Sequence, residues 1–349
     1  MKTSFISTLT LSNTARSQIM SQTATVNKLQ FELASGRKAD VGLDLGGRTG
    51  ETVSLRSEFN FLNAIVDTNA LAKARLDIEQ AALTDVRSSA ENLQGTLLAV
   101  RDVNGSAGSV LAEAEASLEL LVSRLNTQLN GSYLFAGQNT DQPPLTPYEA
   151  GSPNKASLDT AFSTFFGVTD QDDPAVANIS ATDMDTFLNG GTFDALFASP
   201  DWEADWSSAT DETVSTRIST REDVSTSVSA NEQVFRDLAA VYTMLSELGN
   251  EQLDHETYKV VVDKASEMLG GITSDLADLQ GKLGVSQERV TLASERLDIQ
   301  TNLLNERING LENVNKEETA VRLNSAITQL EVSYSISARI QQLSIMNFL

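Results

Sequence analysis

Cysteine is absent from the 349 residues. That excludes a disulfide framework, a thiolate metal site and a cysteine nucleophile. There is one histidine, His255, so a His-rich metal centre is excluded and a serine triad has no evident base. Basic residues are scarce: 25 Lys and Arg stand against 48 Asp and Glu, a formal net charge of −23. At that charge, non-specific association with nucleic acid or with an anionic membrane surface is repelled. No apolar run approaches the roughly 20 residues needed to span a bilayer. The opening stretch MKTSFISTLTLSNTARSQIM has no continuous apolar region and no small-residue cleavage site, which argues against a cleaved secretory signal. These absences predict a cytosolic protein or one exported by a route that reads no such signal.

Proline is missing from residues 1–142 and 201–349, because all six lie between Pro143 and Pro200. Proline is the strongest helix breaker, so both flanks are free to form very long helices. Both tryptophans, Trp202 and Trp206, follow the last proline. Residues 139–212 carry 14 acids against one base, Lys155, and six of the 13 phenylalanines: Phe162, Phe165, Phe166, Phe187, Phe193 and Phe197. The composition predicts a helical body interrupted by a compact acidic insert over 139–214, with strand in the Thr- and Phe-bearing runs 161–168 and 192–198.

The flanks carry heptads. Val262, Leu269, Leu276, Leu283, Val290, Leu297, Leu304 and Leu311 recur every seven positions, which implies one stripe along a long helix system. Gly270, Gly271, Gly281 and Gly284 lower helix propensity, so a break is expected near 281–285. Upstream, Leu83, Val86, Ala90, Leu93, Leu97 and Val100 alternate at three and four, and Leu55, Leu62, Ile65, Ala72 and Leu76 extend that frame backwards. After a turn expected at Asn104-Gly105, Leu111, Ala114, Leu118, Leu121 and Leu125 repeat it. The two ends carry stripes of their own: Ala15, Ile19, Gln22, Val26, Leu29 and Leu33, then Leu323, Ile327, Leu330 and Tyr334 followed by Ile336, Ile340 and Leu343. Paired, they make an antiparallel two-helix unit too thin to be stable alone. Ile19, Val26, Leu29, Leu33, Leu323, Ile327, Leu330, Tyr334, Ile336, Ile340 and Leu343 are therefore the candidate assembly interface, ordered as neighbouring subunits cover them.

Three motifs resemble chemistry and are better read as structure. Gly42-x4-Gly47-Arg48-Thr49 is one residue from a phosphate-loop pattern, but no buried strand precedes it, so it reads as a glycine-rich connector. His255 stands at an expected helix start with Asp254 as its cap. Asp170-x-Asp172-Asp173 and Asp183-x-Asp185 lack the spacing of a calcium loop and read as solvated acidic turns. No catalytic constellation emerges, so the expectation is no enzyme, no catalytic residue, no cofactor and no metal.

The two flanks resemble a known family. Leu33-Ala34-Ser35-Gly36-Arg37-Lys38 is similar to the L-S-S-G-x-R/K signature of flagellins and their junction relatives. Gly131-Ser132-Tyr133-Leu134-Phe135-Ala136-Gly137-Gln138-Asn139-Thr140, with Pro143-Pro144-Leu145, resembles the Y-L-F-x-G-x-x-T…P-P-F segment of the hook-associated protein 3 family. Asn231-Glu232-Gln233-Val234-Phe235 and the ending Gln341-Gln342-Leu343-Ser344-Ile345-Met346-Asn347-Phe348-Leu349 also look like segments of that family. Residues 39–50 and Asn313-Val314-Asn315 depart from its pattern.

The resemblance implies a mainly α fold, with long helices in a flagellin-like antiparallel coiled-coil bundle formed by both chain ends and a small α+β or β inserted domain in the middle. The expected division is 1–50 plus 312–349 as terminal assembly domain, 51–138 plus 215–311 as helical rod, and 139–214 as insert. It further implies a structural, extracellular component of the bacterial flagellum, exported without a cleaved signal, at the junction of hook and filament. The implied partners are further copies of itself in a ring, flagellin, another hook-associated protein and a flagellar export chaperone, with no nucleic acid and no membrane. A flagellin-type filament subunit is the neighbouring reading. From another class, an extracellular helical stalk presenting a glycan-binding insert remains open.

Overall fold

The computed structural model describes residues 8–100, 107–249 and 252–346. The expected turn at Asn104-Gly105 lies outside them. The chain divides into two compact units. The terminal unit comprises residues 1–63 and 298–349, and the central unit residues 64–297. Two long helices, α3 (Thr49–Val100) and α9 (His255–Glu312), contribute residues to both.

In the terminal unit, α1 (Thr8–Ser35) packs antiparallel against α10 (Lys316–Met346). A short helix, α2 (Val41–Leu45), and one 3-10 turn (Gly46–Arg48) lead from α1 into α3. Asp40 caps α2, its Oδ1 accepting the Leu43 amide at 2.8 Å. The phosphate-loop look-alike is this exposed connector, where the Thr49 hydroxyl donates to the carbonyls of Gly42 and Gly46.

In the central unit, α4 (Ala107–Leu125) packs against α8 (Gln233–Glu247). Two antiparallel hairpins bracket the expected insert: β1 (Gln128–Leu129) with β2 (Ser132–Tyr133), and β3 (Ser215–Ser219) with β4 (Glu222–Ser225). Asn130 and Gly131 both have positive φ, 54° and 83°, as the tight twist-matched hairpin turn requires. Between the hairpins lie α5 (Pro153–Phe166), α6 (Ala181–Asn189) and α7 (Thr192–Ala195), a 3-10 turn (Pro174–Asn178) and a π turn (Trp202–Trp206). The middle region is thus small and α+β, with its strands at the margins. The runs expected as strand, 161–168 and 192–198, begin as helix. Pro153 starts α5 at a position that tolerates it, Gly167 ends it at φ 70°, and Phe162 and Phe166 meet one turn apart.

The main hydrophobic cluster runs from Leu76 to Ala293, wholly within the central unit. Rings of Phe162, Phe187, Phe193, Phe197, Trp206 and Trp202 form a continuous ladder, with centroids 5.2–6.0 Å apart. Those rings share one core with α4 and α8. All eight heptad residues from Val262 to Leu311 are buried, as their spacing predicts. The break expected near 281–285 does not occur: α9 is continuous through Gly281 and Gly284. Buried Leu276, Leu279, Leu283 and Val290 hold that stretch against its neighbours, and this packing outweighs roughly 1 kcal/mol of lost propensity per glycine.

Candidate assembly surface

The predicted interface residues divide by depth. Val26 and Leu29 are buried. Ile19, Leu33, Leu323, Ile327 and Leu330 are half-buried, while Tyr334 and Ile336 are exposed. Ile340 and Leu343 belong to α10, but their side chains lie outside the described residues. The α1–α10 pairing therefore covers one side of each stripe and leaves Tyr334 and Ile336 open.

Further exposed apolar side chains of the terminal unit fall outside the predicted stripes: Met20, Phe31, Leu43, Val53, Phe61, Ile299, Leu303, Val321 and Val332. With Tyr334 and Ile336, they are most of the large apolar residues exposed among the described residues. Sequence reading missed them because it followed a and d positions. The signal was present as apolar residues beside the stripe, such as Met20 next to Ile19.

Charge separates the units sharply. Residues 1–63 and 298–349 contain 11 acids and 11 bases, whereas residues 64–297 contain 37 acids and 14 bases. The whole formal charge of −23 resides in the central unit, and the apolar-faced terminal unit is neutral.

Where α1 ends, the Leu33–Lys38 signature acquires a geometric reason. Gly36 has φ 75°, a conformation that favours glycine, and its amide donates to the Glu32 carbonyl at 2.8 Å. Two backbone bonds then tie the segment to the start of α10's approach: Lys38 N–H to the Glu312 carbonyl (2.8 Å), and Val314 N–H to the Gly36 carbonyl (3.0 Å). A side chain at position 36 would press on the Lys316 stem. Glu312, whose side chain is only 1% exposed, receives Arg37 Nη2 at 2.9 Å and both Nε and Nη2 of Arg56 at 2.5 Å. Hydrogen bonding from Arg56, with the charge of both guanidiniums, holds its carboxyl below the usual range despite burial. Asn315, at one of the positions that depart from the family pattern, caps α10 by accepting the amides of Glu317 and Glu318.

Comparison with known proteins places this geometry. Residues 6–140 match the bacterial flagellin N-terminal helical region, and residues 266–349 match the bacterial flagellin C-terminal helical region. The chain belongs to the flagellin family. No curated protein matches it. A solved structure of a candidate flagellar hook-associated protein from Vibrio parahaemolyticus aligns with a TM-score of 0.52 at 10% identity, covering 76% of this chain and 97% of that one. At that identity the likeness establishes the fold. The family match makes the chain a flagellar structural component. No described helix is long and apolar enough to cross a membrane.

The other family-like segments of this flagellin relative are structural. Leu134, Phe135 and Ala136 are buried, and Phe135 meets Phe235 edge-on at 6.2 Å. Gly137, at φ 61°, lies so close to the Thr210 carbonyl that no side chain fits. Asn231 is a hub: its Oδ1 accepts Trp202 Nε1 (2.9 Å) and the Ser207 hydroxyl (2.6 Å), and its Nδ2 donates to the Ala209 carbonyl and to Asp211. Asp254 caps α9 through the Glu256 amide, as expected for the helix that begins at His255. Asp173 accepts the amides of Thr169 and Ala175, which makes the acidic run a capped turn.

Proposed function

We propose that this flagellin-family chain is a junction subunit that joins the hook side of the flagellum to the flagellin filament through its terminal unit. The observation that carries the reading is the pairing of neutrality with exposed apolar surface in that unit. Like-charged surfaces repel, and helices without charge excess stack without that cost. Each Leu, Ile or Phe covered by a neighbour contributes about 1.5–3 kcal/mol. The acidic central unit keeps the assembled surface in water. The C-terminal sequence and the Tyr133–Thr140 segment favour the junction role, as does the fold shared with the candidate hook-associated protein. Export by the flagellar secretion route with an export chaperone, ring closure of identical subunits, and contact with flagellin and a second hook-associated protein belong to the same proposal. So does the division into a terminal domain, a rod and an insert.

A deletion strain tests it. Assembled hooks with flagellin shed into the medium are expected; hooks that still carry filaments would overturn the junction role. A second reading, a filament subunit, is favoured by the family match being to flagellin's own terminal regions. Purified chain that grows long filaments unaided supports it, whereas chain that caps hooks and stops supports the junction. Ile336→Asp, which charges an exposed position, is expected to abolish incorporation and leave the melting temperature of the free chain unchanged.

A further inference from the structure

The insert hides nearly all of its large apolar side chains. Among the large apolar residues open to solvent, Phe165 alone comes from residues 139–214, at 38% exposure. Its ring is fixed from behind: Phe166 lies 4.9 Å away at 72° and Phe187 5.2 Å away at 59°. Phe165 lines a shallow groove of about 780 Å³, within the roughly 300–1,000 Å³ of small-molecule sites. Three elements of the central unit build that groove. Thr164 and Phe165 come from the end of α5, Thr192 opens α7, and Asp201 and Asp205 belong to the π turn and its approach. Asp201 is exposed, and Asp205 accepts the Ser157 hydroxyl at 2.5 Å. Neither aspartate pairs with a base among the described residues. Lys155, the one base of the segment, is committed to Glu247 (2.6 Å) and Asp159 (3.6 Å).

The lining selects a ligand by chemistry. Two carboxylates with no base beside them repel anions. No group of three His, Asp or Glu that could hold a metal ion occurs among the described residues. What remains is a molecule that donates hydrogen bonds and carries an apolar face. An ionised carboxylate only accepts, and a bond to it contributes about 1.5–3 kcal/mol, against about 0.5–1.5 kcal/mol for a neutral acceptor. The negative face of an aromatic ring attracts polarised C–H groups. A pyranose ring offers both features, a flat face of C–H groups and a rim of hydroxyls. The threonines add methyl and hydroxyl groups side by side, a surface that suits the same mixed ligand. We propose that this groove is a carbohydrate site for a neutral pyranose unit, with Phe165 as the stacking platform and Asp201 and Asp205 as acceptors for the sugar hydroxyls. The site lies within the central unit and goes beyond the junction role. It is a property of the free chain and stands or falls without assembly.

Titration calorimetry and saturation-transfer NMR on the full chain test it. The probes are maltotriose, lactose and chitotriose as neutral saccharides, sialyllactose as the acidic counterpart, and spermidine as a cation. Binding of at least one neutral saccharide in the millimolar range or tighter is expected, with sialyllactose at least about tenfold weaker. Phe165→Ala is expected to weaken that binding about tenfold. Phe165→Leu keeps an apolar contact with Phe187 and removes the flat ring, so it is expected to do the same with the fold intact. Asp201→Asn, at an exposed position, is expected to cost about fivefold. Leu71→Ala, at an exposed apolar position outside the groove, is expected to leave binding unchanged. Saturation transfer is expected to be strongest at the ring C–H protons of the bound sugar. Failure of all three neutral saccharides to bind overturns the proposal. So does an affinity that Phe165→Leu and Asp201→Asn leave untouched, or tighter binding of sialyllactose or spermidine than of any neutral saccharide.

Discussion

The two units of this chain solve opposite problems with the same helix chemistry. The central unit has a sealed core: Phe135, Phe162, Phe187, Phe193, Phe235, Trp202 and Trp206 are all 2% exposed or less. It can bear a charge of −23 because that core holds it together against self-repulsion. The terminal unit buries only Val26, Leu29, Leu62, Leu304, Ile308 and Leu311 among its described apolar side chains, shows many others to solvent, and carries no net charge. On the proposed assembly role, a region finished by neighbours needs the second design. A region made to stand in water alone needs the first.

The largest effect should come from truncating a ring in the sealed core. Phe235→Ala leaves a cavity beside Phe135 and is expected to lower stability by about 3–5 kcal/mol, read by denaturant unfolding of the central unit. A loss below about 1 kcal/mol would mean that the core is looser than its burial implies.

A smaller effect concerns pH. Glu79 is wholly buried on α3, with Oε1 receiving Arg75 Nε at 3.2 Å and Oε2 left without a protein partner. Burial outweighs the arginine and pushes its carboxyl up to about 8. A carboxyl raised in the folded state binds its proton more tightly there, so its contribution is present at low pH and declines between about 4.3 and about 8. Wild-type stability is expected to fall by about 2–3 kcal/mol more than that of Glu79→Gln between pH 6 and pH 9. Parallel pH profiles for the two proteins would show that Arg75 keeps Glu79 ionised.

The smallest stability effect belongs to the open unit. Phe31→Ala removes an exposed ring and is expected to change the free chain's stability by no more than about 0.5 kcal/mol, while incorporation into flagella drops. Since Phe31 and Phe235 differ only in setting, the pair measures how much of an aromatic's worth lies in its surroundings. Unimpaired incorporation would remove Phe31 from the assembly surface.

The sequence was legible where the physics is periodic. Eight apolar residues at intervals of seven had to lie on one face, and Val262 through Leu311 do. The missing prolines correctly announced uninterrupted helices, yet local propensity misjudged Gly281 and Gly284 because a buried stripe on both sides decides their conformation. The insert's aromatics announced a core; that α4 and α8 would share it left no local mark. Least legible was the joint. Arg37 and Arg56 lie 275 and 256 residues from Glu312, and nothing in a run of charged residues says which arginine will find which glutamate.

The segregation of charge has a consequence for how such subunits accumulate. If copies line up through their neutral ends, their central units form rows of like charge at the spacing of the assembly. Fields from exposed charges die away over about 8 Å at physiological ionic strength, so neighbouring rows overlap unless small cations condense between them. Each added copy would then recruit mobile counterions, and the assembled object would behave as a polyelectrolyte brush. Its growth should become easier as salt rises, opposite to what is expected for an interface built on attraction between unlike charges.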